Sequence, residues 1–269
     1  MLFNPHRRLP EANRRLLGAM GLVATLVIWS ALSYFEVIGP NKLPPPWAVL
    51  KAFKYLIWST GPDGQAHSLL GAATLASSAR IALSALLVLV LGLPIGILLG
   101  ASPAINAFFS PLLDPFRSAP MAALLPIFVM WFGIDETMKV LFLFSGAVVY
   151  FIPMVRDSML AVPYAYWETV RDLGGTYPEC IFKGVLPIAM PRIADAFIVS
   201  TSIAWTYVTV AEYVNANSGL GQLIQNARRF GAIDQVFAGI ITILVLALLT
   251  YVALSKLRNI LFAWEAKQA

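Results

Sequence analysis

From Ile81 to Leu113 the chain runs for 33 residues without one charged side chain. A single straight helix of that length would measure about 50 Å, against a hydrocarbon core of about 30 Å. The run must therefore break. Pro94, Pro103 and Pro111 supply the breaks, and Ala101-Ser102-Pro103 reads as the turn that ends helix two near Gly100. In water such a surface would aggregate; a bilayer solvates it. Only 12% of the residues are charged and 59% are hydrophobic, whereas soluble domains carry about 25% charge. The sequence predicts an all-α, polytopic membrane protein with about six transmembrane helices.

Helix one is the uncharged stretch Leu16 to Phe35, preceded by Arg7, Arg8, Arg14 and Arg15. Those arginines predict a cytoplasmic segment over 1–15 and a retained, uncleaved first helix. After it, Pro44-Pro45-Pro46 reads as a stiff extended stretch, Trp47 to Trp58 as a short helix at headgroup level, and Gly61-Pro62-Asp63-Gly64 as a turn. Helix three runs with interruptions towards Ile134, irregularised by Pro115, Pro120 and Pro126. Backbone groups freed at membrane depth need protein around them, so this segment is expected to face the interior. Cores of helices four, five and six are read at Val140–Val155, Ala196–Ala211 and Gln235–Ser255, with residues 212–234 as a polar loop. The membrane domain is thus 16–262, with a short tail over 263–269. With six spans both termini lie in the cytoplasm, and the basic residues divide twelve inside to seven outside.

The net charge of +5 does not call for nucleic acid, because the basic residues sit on short segments between apolar runs. A single cysteine, Cys180, excludes an intrachain disulfide and any multi-thiolate metal site. His6 and His67 have no metal-ligand spacing around them. No lysine is followed by Ser or Thr, so the phosphate-cradling P-loop is absent and the chain has no ATPase site of its own.

The segment 163–191 carries the most information. Pro163 suits a helix start and Gly174 a left-handed cap, giving a short helix of about ten residues. Pro178 opens a second helix that Leu186-Pro187 ends or kinks. Glu168 stands six residues before Gly174, Pro187 thirteen after it, and Pro191 four further on. This spacing resembles the cytoplasmic coupling motif of ABC importer permeases, Glu-Ala-Ala-x-x-x-Gly followed by Ile-x-Leu-Pro. Thr169 and Val170 depart from it, standing where alanines are usual. Leu43–Leu50, Pro115–Pro126 with Trp131-Phe132-Gly133, and Ala211–Ile224 narrow the resemblance to permeases of nitrate, sulfonate, taurine and bicarbonate importers, over about residues 40–260.

The resemblance implies that Glu168, Arg171, Asp172, Gly174 and Pro187 belong to the loop that couples to an ATPase. It implies a second copy of this permease, two ABC ATPase subunits that bind ATP and magnesium, and an extracytoplasmic binding protein, with no cofactor in this chain. The site would be the inner membrane of a bacterium, and the cargo a small oxyanion. Translocation-path candidates are Ser202, Trp205, Thr206, Thr209 and Glu212 on helix five, with Met121 on helix three. Helix five's hydroxyls can equally bond back to their own helix, and Glu212 can equally hold the outer loop. The sequence shows no deeply buried cation to mark a tight anion site. An ion-driven secondary transporter is the rival reading, but it would call for midplane carboxylates and repeated halves.

Overall fold

The computed structural model describes residues 10–39, 42–60, 66–214 and 218–264. The arginines at 7 and 8, the turn at 61–64, Asn215 to Asn217 and the tail from 265 lie outside the described residues. Among the described residues five helical runs are long and apolar enough to cross a membrane, and the bent pair described below makes six when taken as one span. A two-residue antiparallel pair, Ser59–Thr60 with Ala66–His67, is the one departure among the described residues from an all-helical chain. By internal contact the chain divides into two units, residues 1–69 with 226–238, and residues 70–225 with 239–269.

In the first unit α1 (Glu11–Tyr34) is apolar and largely exposed, as a helix solvated by lipid should be. Its Trp29 indole donates to the Pro44 carbonyl at 3.0 Å and its Ser33 hydroxyl to that of Leu43 at 3.1 Å. These bonds fasten the stiff proline segment to α1. The segment then delivers Pro46 to the first position of α2 (Pro46–Ile57), where the missing N–H costs nothing. Trp29 also stacks on Phe237.

The second unit opens with α3 (Leu69–Leu87), a π-helical turn over Val88–Gly92, and α4 (Leu93–Ala101), which form one run of 33 residues. The π turn precedes Leu93-Pro94, where proline supplies no N–H to the ladder. Ser102, in the turn expected at Ala101-Ser102-Pro103, caps the next helix, α5 (Pro103–Phe116). A 3-10 turn over Met121–Leu124 and α6 (Leu125–Phe132) follow at a 90° bend from α5. This is the expected broken helix three.

At the centre stands α7 (Glu136–Leu160). Phe151, Val155 and Met159 line its face against α4. A Cβ built on Gly96 would meet Val155 at 2.6 Å, on Gly100 Met159 at 2.6 Å, and on Gly92 Phe151 at 3.0 Å. Small residues at four-residue spacing let two membrane helices approach closely, and dispersion between them then stabilises the pair. Sequence reading treated these glycines only as part of an apolar run.

Beyond α7 come α8 (Ala165–Asp172), the single turn α9 (Tyr177–Glu179), a second π turn over Cys180–Val185, and α10 (Leu186–Tyr213). Of the two expectations for Leu186-Pro187, an end or a kink, the end is corrected: the step does not close a second short helix. The π turn absorbs the proline's missing donor, with Leu186 N–H bonding to Ile181 O, and the helix runs on from Tyr177 to Tyr213. α10 packs along α7 through Phe151–Phe197 and Phe142–Tyr207, both at 6.1 Å, and Gly146 makes room for the Tyr207 ring.

A second correction concerns 212–234, expected as a polar loop. It contains α11 (Leu220–Arg229), which buries Leu220, Ile224 and Ala227 on one face. That period of four and three was readable, but the surrounding Gly and Asn masked it. The chain ends with α12 (Ile233–Leu261).

Gly96→Val should therefore overpack the α4–α7 contact and cost about 1–3 kcal/mol. Thermal unfolding in detergent, followed by tryptophan fluorescence, should show a lower midpoint for it. Gly18→Val, at a position with open space around it, should leave the midpoint nearly unchanged.

Candidate functional site

The loop after α7 is built to hold one short helix rigidly in the open. Pro163 O accepts the Tyr166 N–H at 3.1 Å and so starts α8. At the far end Gly174 has φ +85°, a conformation that disfavours any residue with a Cβ. Gly174 N–H bonds to Arg171 O and Gly175 N–H to Val170 O, each at 2.9 Å. This paired capping satisfies carbonyls that a helix end would otherwise leave free. Glu168, Arg171, Asp172 and Gly174 are all exposed on this helix and its cap, and Leu173 beside them is 84% exposed.

The inward side of α8 is Trp167 and Val170. Trp167 packs edge-on against Tyr177 with centroids 4.7 Å apart. Val170, bulkier than the alanine of the motif this segment resembles, fits because glycines face it. A Cβ on Gly175 would lie 2.7 Å from its Cγ1, and one on Gly184 would lie 3.2 Å from its Cγ2. A cavity of about 330 Å³ remains between α8, the end of α7 and the α4–α5 turn, lined by Gly100, Met159, Tyr164, Trp167, Tyr177 and Val185.

The next turn is closed by Thr176 and Glu179. Glu179 accepts from the Thr176 N–H at 2.9 Å and from the Lys183 ammonium at 2.6 Å. Lys183 first, and then the Thr176 donors, pull the Glu179 carboxyl down to about 2. Glu179 and Lys183 stand on the polar approach to α10, before the apolar span. Because the folded value is depressed, this contribution is present above the usual carboxylate range and is lost as pH falls towards 2. Pro187 does not join the α8 group. It lies at the start of α10, past the π turn.

The path candidates fall on α10 apart from Met121. Ser202 and Thr206 donate their hydroxyl protons to Ile198 O at 2.9 Å and Ile203 O at 2.7 Å, back along their own helix. Ser200 and Thr201 do the same with Phe197 O. Thr209 is half-buried and Met121 is buried. Trp205 is buried, and its indole N–H has no partner among the described residues.

Glu212 is different. It is fully buried and lies in a cluster that sequence reading did not assemble. Arg80 Nη1 reaches Glu212 at 2.5 Å, and Arg80 Nε and Nη2 make a two-pronged contact with Glu136 at 2.5 and 2.7 Å. Lys139, 2% exposed, also donates to Glu136 at 2.8 Å. Ser77 donates to Glu212 at 2.7 Å, and the Gly221 N–H does so at 2.7 Å. Arg80 further holds Ser218 through its carbonyl and its hydroxyl. Between them Gly219 has φ +116°, and a Cβ there would lie 2.5 Å from both Arg80 and Glu212. The cluster pins α3, α7, α10 and the start of α11 together.

Two expectations change here. Arg80, one of the seven basic residues that the six-span topology assigns to the outside, lies inside α3 and is buried. Deeply buried cations do exist in the membrane domain, but Arg80 and Lys139 face Glu136 and Glu212, so the cluster is balanced and offers no free positive charge to an anion. The signal was present in the sequence, since Ser77, Arg80 and Ser84 repeat at helical spacing on one face.

Comparison with known proteins agrees with this architecture. Residues 92–260 match the family described as the inner membrane component of binding-protein-dependent transport systems. The chain is 30% identical to the taurine transport system permease protein TauC of Escherichia coli, over 97% of this chain and 94% of that one. It is 34% identical to the putative aliphatic sulfonates transport permease protein SsuC of Bacillus subtilis, over 89% of this chain and 84% of that one. Among solved structures, a chain of the MetNI methionine ABC transporter in an inward-facing conformation matches with a TM-score of 0.63 and 23% identity, covering 71% of this chain and 95% of that one. That likeness speaks to the fold.

Removing one member of the buried pair should be costly. Arg80→Leu leaves the buried Glu212 without its cation and Glu136 with Lys139 alone, at roughly 3–5 kcal/mol. Arg80→Met combined with Glu212→Leu should lose less than Arg80→Leu alone. Thermal midpoints of the purified variants compare the two directly, and equal losses would deny the pair its role.

Proposed function

Because the chain belongs to the family of inner-membrane components of binding-protein-dependent transport systems, we propose that it is the membrane-spanning subunit of an ATP-driven importer of small sulfonates such as taurine. One observation supports this reading most: the exposed, doubly capped helix α8, fixed at the end of the central helix α7. Two copies of this chain would form the path, two ATPase subunits would bind ATP and magnesium, and an extracytoplasmic binding protein would deliver the solute. Both termini would lie in the cytoplasm, on the same side as α8. The substrate class rests on the two sulfonate-type relatives, which align with most of this chain.

The physical logic is that of a lever. Glu168, Arg171, Asp172 and Leu173 present charge and one apolar side chain outward from a helix whose ends cannot fray. A subunit gripping that surface would move α8 as a body. Trp167 and Val170 would pass the displacement to the end of α7 and to the π turn ahead of α10. Closure and opening of the ATPase pair would thus become a domain-scale rearrangement of the spans. Glu168, Arg171, Asp172 and Gly174 act at the ATPase contact in this reading, and Pro187 at the root of α10. The hydroxyls of Ser202, Thr206 and Thr209, with Trp205 and Met121, would flank the path. With Arg80 and Lys139 neutralised, binding in the membrane would be weak, and selection would fall to the binding protein.

The test is ATP hydrolysis by the assembled complex in nanodiscs, with its binding protein and either taurine or a linear alkylsulfonate. One of these should raise hydrolysis above the unstimulated rate. Gly174→Val, which forces a β-branched residue into positive φ, should return the rate to the unstimulated level while the membrane helices stay folded. Uptake by this chain alone on an ion gradient would overturn the proposal.

A further inference from the structure

The bent pair needs something to move it, and the structure holds a tie at the right place. α5 and α6 meet at 90° across residues 117–120. Along α5, Asn106, Ser110 and Asp114 recur every four residues and so form one polar face of an otherwise apolar helix. Opposite them on α7 is Arg156, whose side chain is 11% exposed. Its Nη1 donates to Ser110 Oγ at 2.7 Å and to both Asp114 carboxylate oxygens at 3.1 and 3.2 Å. Ser110 in turn donates to Asn106. Asp157 holds the guanidinium from the other side, accepting from Nε and Nη2 at 2.9 Å. A second contact lies six residues back along α7, where the Tyr150 hydroxyl donates to the Arg117 carbonyl at 3.0 Å, at the bend itself.

The placement in the chain matters. Arg156 is four residues before the end of α7, and α8 begins five residues after that end. Asp114 is two residues before the end of α5, next to the bend. Arg156 therefore sits between the lever helix and the broken span. A guanidinium makes a fixed planar fork, so a rigid displacement of α7 is passed on as direction as well as distance. Apolar contact alone would let α5 slide along α7.

We propose that Arg156, Asp114 and Ser110 form the tie by which movement of α8 displaces the broken span α5–α6, with Tyr150 as a second tie at the bend. They are positioning residues. This rests on the importer reading above and assigns residues within it.

The experiment measures solute moved per ATP hydrolysed, in proteoliposomes of the whole complex with its binding protein. Arg156→Gln, Asp114→Asn and Tyr150→Phe are compared with the wild type and with Gly174→Val. Arg156→Gln and Asp114→Asn should still hydrolyse ATP, while solute moved per ATP falls on the order of tenfold, within the range of measured couplings between sites. The exchanged pair Arg156→Asp with Asp114→Arg should recover part of that loss, which a packing role would not do. If the single charge variants do not assemble, Tyr150→Phe and the milder Ser110→Ala decide: wild-type transport per ATP in both would overturn the tie. If all tie variants transport normally while Gly174→Val alone loses coupling, the tie is wrong and the lever reading stands. If wild-type hydrolysis responds to no sulfonate, the importer reading fails, and the tie fails with it.

Discussion

Hydrocarbon offers no partner to an amide or a charge, so every such group in a membrane chain must be satisfied from within. The architecture answers this demand repeatedly. At Leu93-Pro94 and at Leu186-Pro187 a π turn stands directly ahead of the step, where the ladder lengthens to reach past the missing donor. At the bend between α5 and α6, Tyr150 supplies a proton to the Arg117 carbonyl. Hydroxyls along α10 fold back on carbonyls one turn away. Charges are treated the same way, and the two buried clusters hold each cation against carboxylates.

Those clusters lie at the two ends of α7. Glu136 and Arg156 are twenty residues apart, about 30 Å along a helix, the thickness of the apolar layer. Between them α7 carries the apolar contacts with α4 and α10. The glycine ladder on α4 lets backbones approach, whereas the charged ends fix direction. Dispersion is forgiving of sliding along the axis; ionic forks are not. Together they make α7 the element against which the other helices of its unit are registered.

Much of this was legible in the sequence, for definite reasons. Uncharged length set the number of spans, and proline positions set the break in helix three and the turn at Ser102. Spacing around Glu168 and Gly174 gave the short exposed helix and its left-handed cap. Other features were hidden by their own logic. Arg80 counts as an outside cation in a topology argument because it directly precedes the uncharged run, and its two carboxylate partners lie 56 and 132 residues away. Asp114 and Arg156 were similarly separated. The face of α11 was drowned by the Gly and Asn around it. Pro187 could read as a stop or as a kink because proline interrupts α geometry, and a π turn is a tertiary accommodation that local propensity does not announce.

The two π turns have a consequence for how such a chain can change length. A π turn holds one residue more than the α geometry would need over the same rise. Elsewhere in a span, deleting a residue rotates everything beyond it by about 100°, turning lipid-facing side chains inward. Within Val88–Gly92 or Cys180–Val185 the same deletion can be taken up by tightening the turn, leaving the faces on either side in phase. These two places are therefore seams, where the protein can gain or lose a residue without reshuffling which side chains meet oil and which meet protein.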